Sequence, residues 1–412
     1  MTIAEPPVCL PEAARAAGAT RLWLPYPDAL PSQRSELAVA AQTLFSPGGV
    51  FSPAGVLAAF GTPQARAELR ALLTARQPDP DPGASPADIS RDAPAQRPGG
   101  RAAGHRPLSR IAQAEQEEHD RYFEVGRTGG DGAQGFSAGM MLAYLSAYEN
   151  CLSMGVTLLD DREWGQLFGG LAMLLEVAGG SAVRGGPADP ADPAGQAGQA
   201  VALPAPPEPT GWRDAYHPPR RWLVGHQLFF ALIQGTIVGL NCFSRAAAVE
   251  AIPEADAGLA LAAAFMRSSA AAMKFASDFA PADYDTTVRP DMAPPKVREG
   301  FSGLQTRDHA YLVRTFGAVK PALAPLAGRS EAHADFVESV VSAYAAHEYI
   351  CARFRGDVLP SLRMAAASRA RTDRTGVEVI REMMQARLAL IGTRTVPGSV
   401  AVGDEADAIT HD

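Results

Sequence analysis

Apolar side chains recur at three- and four-residue steps along most of the chain. In "SAGMMLAYLSAYENCLSMGVTL" (137–158), Met140, Met141, Tyr144, Leu145 and Tyr148 share one helical face. Residues 164–178, 221–249, 256–279, 305–326, 331–355 and 375–392 repeat that spacing, and 108–126 does so up to a glycine suited to a C-cap. Strand-like alternation over five or more residues is nearly absent. The pattern predicts an all-α protein. One stretch breaks it: "DYDTTVRPDMAPPKVREGFSG" (283–303) holds three prolines and two glycines, which forbid a continuous helix. A long irregular segment between two strong helices is a good place for a site.

Residues 76–107 and 184–210 are rich in Pro, Gly and Asp and poor in large apolar groups. Neither buries enough surface to offset chain entropy, so both are expected to be flexible. The resulting division is a partly disordered N-terminal region (1–107), an all-α catalytic domain (108–394) with a flexible insertion at 184–210, and a disordered tail (395–412).

Composition narrows the classes of function. The chain has 412 residues, 47% of them hydrophobic, and a net charge of -8. No basic run tracks a phosphate backbone, so no nucleic-acid partner is expected. The N-terminus lacks the regions of a signal peptide, and the apolar run 228–243 carries Gln and Asn and is short for a membrane span. A soluble, cytoplasmic protein without a membrane partner is expected. Cys9, Cys151, Cys242 and Cys351 are scattered, without zinc-like pairing.

The chemistry rests on the histidines. His105, His217 and His411 lie in loop-like or terminal sequence, and His333, between Glu331 and Asp335, belongs to a solvated face. His119, in "AEQEEHDRYFEV", fits a salt-bridged surface helix more readily than a site. His226 interrupts the apolar "RRWLVGHQLFFALIQG" and needs a partner if buried. His309 borders the apolar stripe of Leu312, Val313 and Phe316. His347 and Cys351 stand one helical turn apart, roughly 6 Å at Cβ. Alone, that pair is a weak signal. With His309 it offers two imidazoles from two helices, an arrangement that holds a flat heme by its axial positions. Zinc, the competing metal, lacks third and fourth ligands at a usable spacing.

His309, thirty-seven intervening residues, then "HEYIC" (347–351) resembles the heme motif of the histidine-ligated heme-dependent aromatic oxygenases, the superfamily of tryptophan 2,3-dioxygenase. The likeness is to its branch that hydroxylates 3-methyl-L-tyrosine for tetrahydroisoquinoline (saframycin-type) antibiotics. "HAYLVRTFG" (309–317) is similar to the superfamily's proximal-histidine segment. "GHQLFF" around His226 and "EHDRYFEV" around His119 compete for the distal, catalytic position. The glycine loop that follows the proximal helix in tryptophan dioxygenases is replaced by "AVKPALAPLAG", which counts against kynurenine-forming chemistry.

The resemblance implies a multi-helix, tryptophan-dioxygenase-like heme domain. It implies a b-type heme derivative with His309 and His347 as iron ligands and one thioether to Cys351. It further implies insertion of one oxygen ortho to the phenol of L-tyrosine or 3-methyl-L-tyrosine, from hydrogen peroxide or from O2 with a reductant such as ascorbate. Arg289 and Arg298, on the irregular segment, are candidates for the amino acid's carboxylate, and Asp308 for holding His309. Two alternatives stand beside this reading: a non-catalytic bis-histidine electron carrier or sensor, and an indole oxygenase of the same superfamily. A homo-oligomer is left open.

Overall fold

The computed structural model describes residues 21–45, 52–81, 110–179, 203–206, 216–299, 301, 306–356 and 375–392. Most of the two stretches expected to be flexible, together with Cys9, His105, His411 and the tail, lies outside the described residues.

The described residues form an all-α protein with eleven helices of six residues or more and one pair of short strands. In chain order these are β1 (Leu22–Pro25), α1 (Arg34–Phe45), α2 (Pro53–Ala58), α3 (Pro63–Ala75), α4 (Arg110–Tyr122), β2 (Val125–Thr128), α5 (Gly132–Met154) and α6 (Asp161–Ala178). Then follow α7 (Pro218–Ala247), α8 (Ile252–Ala276), α9 (Arg307–Leu323), α10 (Glu331–Arg353) and α11 (Gly376–Leu390).

The centre is the pair of long helices α7 and α8, which pack on each other. Small residues let their backbones approach: a Cβ on Gly239 would meet the Ala262 backbone at 2.5 Å, and one on Gly258 the Phe243 backbone at 2.5 Å. Helix α7 is long and apolar enough to cross a membrane by composition, but most of that stretch is buried inside the protein, which makes it a core helix here. Helices α6 and α10 pack on α8, α5 and α9 on α7, and α11 on α10 and α9. Leu24, Leu37, Leu44, Phe60 and Leu73 join the same apolar core, so β1, α1 and α3 belong to one packed body with the later helices.

Two local expectations change. Gly126 does not cap α4, which ends at Tyr122; it lies in β2, which pairs in parallel with β1. A Cβ there would fall 2.3 Å from the Trp23 ring. The irregular segment is a run of short helical pieces, Pro281–Asp283, Tyr284–Val288 and Arg289–Asp291, followed by turns and bends up to residue 299.

Candidate functional site

Five helices enclose one cavity. Its walls are Phe229, Ile233 and Thr236 from α7, Met266, Ser269 and Met273 from α8, and Leu312, Val313 and Phe316 from α9. Ala343 and Tyr344 from α10 and Arg387 from α11 complete it, and both His309 and His347 face into it. The unfilled space, open mouth and adjoining solvent included, is about 550 Å³. Thr236 and Ser269 donate their hydroxyls to carbonyls of their own helices, Leu232 at 3.1 Å and Phe265 at 2.9 Å. The interior is therefore apolar except for two imidazoles, one phenol and one guanidinium.

His309 is held by the start of α9. Thr306 caps that helix by accepting the His309 backbone N–H at 3.3 Å. The neighbouring Asp308, fully buried, accepts from Arg127 at 3.1 and 2.7 Å and from Gln234 at 2.8 Å. Arg127 also donates to both oxygens of Asp120, at 2.9 and 2.6 Å. Burial works against the arginine's charge, but the two carboxylates raise its pKa well above the ordinary value. Adjacent residues on a helix face different ways, and here one faces the cavity and the other the ion network.

Burial pushes the His347 pKa down to about 4, so its imidazole is neutral near pH 7 with a lone pair to offer. One turn on, the Cys351 sulfur sits against Gly356 and Gly376. A Cβ on either glycine would come within 2.5 and 2.9 Å of Sγ. The two glycines thus make a cradle shaped around the thiol.

His226 is not on the cavity wall but is close behind it. Its pKa is also lowered to about 4, by burial first and with a contribution from the charge of His347. The ring stacks on Phe123 at 4.7 Å and leans on Trp222 at 4.2 Å. Its Nδ1 lies 2.8 Å from the Trp222 carbonyl. A carbonyl only accepts, so Nδ1 carries the proton and Nε2 the lone pair.

His119 is buried rather than on a charged surface. It stacks on Phe301 at 4.1 Å, and its Nδ1 meets the Glu115 carbonyl at 2.7 Å. Phe301 in turn stacks on Phe123 at 5.8 Å, so His119 reaches His226 only through two phenyl rings.

Neither Arg289 nor Arg298 lines the cavity. Arg298 pairs with Glu118 at 2.5 Å and Glu115 at 3.1 Å, which fastens the irregular segment to α4. Arg289 lies near Tyr284, whose ring stacks on Phe354 at 4.2 Å. His333, expected in solvent, is buried, and His217 caps α7 by accepting the Arg220 N–H at 3.1 Å. The cavity's one arginine, Arg387, was not singled out from the sequence. It stands in "GVEVIREMMQARLAL", where nothing local separates it from Arg381 on the exposed face.

Fold and cavity define a class: a helical protein with an apolar chamber flanked by two imidazoles from separate helices. The chain belongs to the SfmD 3-methyl-L-tyrosine peroxygenase family, whose model matches residues 23–334. It is 30% identical over 275 residues to a 3-methyl-L-tyrosine peroxygenase of Streptomyces lavendulae, covering 66% of this chain and 70% of that protein. It also resembles the crystal structure of SfmD reduced by soaking with sodium hydrosulfite. There the TM-score is 0.53 and the identity 25%, over 80% of this chain and 97% of the other.

Proposed function

We propose that the chain is a heme-dependent peroxygenase that hydroxylates the carbon ortho to the phenol oxygen of 3-methyl-L-tyrosine or L-tyrosine, giving a catechol. The observation that carries this reading is that His309 and His347, the two histidines of the spaced motif, face one apolar cavity. The donor set suits heme. Among the described residues no three His, Cys, Asp or Glu side chains converge as a bare-ion site. Two imidazoles in apolar walls instead suit an iron that brings its own equatorial nitrogens. His309 and His347 would be its ligands, and Cys351, in its glycine cradle, would supply the thioether.

Bound there, heme would supply activation of the peroxide oxygen. The overall balance closes without another reductant: ring C–H and hydrogen peroxide give ring C–OH and water. With O2, a two-electron, two-proton donor such as ascorbate is needed for the same product. The chain's own contribution is orientation and exclusion of water. Phe229, Phe316, Leu312 and the two methionines wall off solvent and hold an aromatic ring by its faces. His226, neutral at working pH with its Nε2 lone pair, is the group placed to accept and return a proton next to His347. His119, beyond Phe301, lies further from that position, and Arg289 and Arg298 face elsewhere.

The test is direct. Purified protein should show a Soret band, and acidic organic solvent should leave the heme on wild type but extract it from Cys351→Ala. With hydrogen peroxide, catechol should form from 3-methyl-L-tyrosine or L-tyrosine, and His309→Ala should abolish it. A colourless protein from heme-replete cells, or N-formylkynurenine from tryptophan with no catechol from either phenol, overturns the reading.

A further inference from the structure

Arg387 is the feature of the cavity that neither the motif nor ring packing explains. It is the one guanidinium on an otherwise apolar wall. Its Nε is buried with no hydrogen-bond partner, and among the described residues no carboxylate forms an ion pair with it. Other arginines, such as Arg353 and Arg221, also bury an unsatisfied Nε, but none of them lines the cavity. Part of the guanidinium donates to the Tyr344 hydroxyl, a phenol whose pKa burial raises against the pull of that arginine. Arginine presents five N–H donors in a planar fork. One phenol oxygen leaves Nε of that fork without an acceptor.

The position is braced. Lys320 of α9 donates to the Ala389 carbonyl at 2.9 Å, and Arg381 pairs with Glu348 of α10. Those two ties set α11 across the helices that carry His309 and His347. A half-buried cationic fork that lines a ligand chamber, its Nε unsatisfied, is stabilised most by a bidentate carboxylate.

We propose that Arg387, with Tyr344 beside it, is a carboxylate-binding fork for the ligand held at the two histidines. This deepens, and rests on, the peroxygenase reading. Two carboxylates belong to that chemistry, a heme propionate and the α-carboxylate of the amino acid, and they share the same recognition. Arg387 lies beyond residue 334, outside the stretch that the family model matches.

Two titrations separate the sources. Full-length chain made in heme-limited cells is titrated with hemin and with hemin dimethyl ester, followed at the Soret band. Heme-loaded protein is then titrated with L-tyrosine and with tyramine, which lacks the carboxylate. If the fork holds a propionate, Arg387→Gln weakens hemin roughly 10- to 100-fold and leaves the ester unchanged. If it holds the substrate, hemin and ester are unchanged while L-tyrosine weakens by a similar factor and tyramine does not. Arg387→Lys, which keeps charge but not the fork, should lose less than Arg387→Gln in the same arm. Should Arg387→Gln fail to fold, the Lys variant and Tyr344→Phe decide by the same acid-against-ester and acid-against-amine comparisons. Equal losses for both members of each pair, or no loss in either, overturn the proposal with heme binding intact. A chain that takes up neither form of hemin overturns the peroxygenase reading and this proposal with it.

Discussion

Replacing Arg127 by methionine tests whether the ion network behind His309 sets the site. Asp308 has a fully buried side chain, and Arg127 is the one cation paired with it among the described residues. The methionine keeps the length of the arginine stem but removes both N–H contacts to Asp308 and both to Asp120. Asp120 keeps some exposure and can be hydrated, whereas Asp308 is left with the Gln234 amide alone. Removing one partner of a buried pair typically costs about 3–5 kcal/mol, a large share of the ~5–15 kcal/mol that holds a domain together. The control is Arg70→Met, whose partner Glu149 is exposed and whose loss should cost about 1 kcal/mol or less. Urea midpoints of the heme-free chain at constant slope measure both. Arg127→Met combined with Asp308→Leu should recover most of the loss, since no buried charge is then stranded. An Arg127→Met loss no larger than the control, or a double variant no better than the single one, refutes the argument.

His226 gives a pH dependence with a defined sign. Its folded pKa of about 4 lies below the ordinary 6.5, so the unfolded chain takes the proton first. Its contribution is fully present above about pH 6.5 and is lost as pH falls toward 4, at most about 3 kcal/mol. His226→Gln should flatten that part of the urea-midpoint profile between pH 7 and 5, and an unchanged slope would show that other groups cause it. Gly376→Ala should push the Cys351 sulfur out of its cradle, and intact mass should then show less covalently held heme at a similar Soret absorbance. Full covalent loading in that variant would mean the sulfur has another route to the heme edge.

What was legible in the sequence depended on locality. His347 and Cys351 share one helix, and His309 opens the next such helix upstream, so fixed spacing carried the motif. The helices from residue 108 onward followed from apolar periodicity, with ends within a few residues of those observed, whereas α1, α2 and α3 were not read from the sequence. The strands were missed because β1 and β2 are four residues each, too short for alternation to register, and their partners lie about a hundred residues apart. The ion pair of Asp308 was not legible for a related reason: its partner Arg127, in β2, is 181 positions away and meets it only in the folded chain. His119 looked like a surface residue because its sequence neighbours are acids. Glu115 and Glu118 are instead neutralised by Arg298, and Phe301 from the same segment covers the ring.

Arg387 shows the limit most clearly, and it also says where specificity should be sought. The stretch that the family model matches ends at residue 334, just inside α10. His347, Cys351, Tyr344 and Arg387 all follow it. The matched part supplies the scaffold, the apolar walls from α7, α8 and α9, and one histidine. The two terminal helices supply the second histidine, the thiol and every other polar group on the cavity wall that is not tied up in its own helix. A change in which phenol is accepted, or in how firmly the cofactor is held, can therefore arise in α10 and α11 without disturbing the core. Differences of that kind between this chain and its 30%-identical relative belong in those helices first, because a buried polar group facing a ligand discriminates far more strongly than a methylene on an apolar wall.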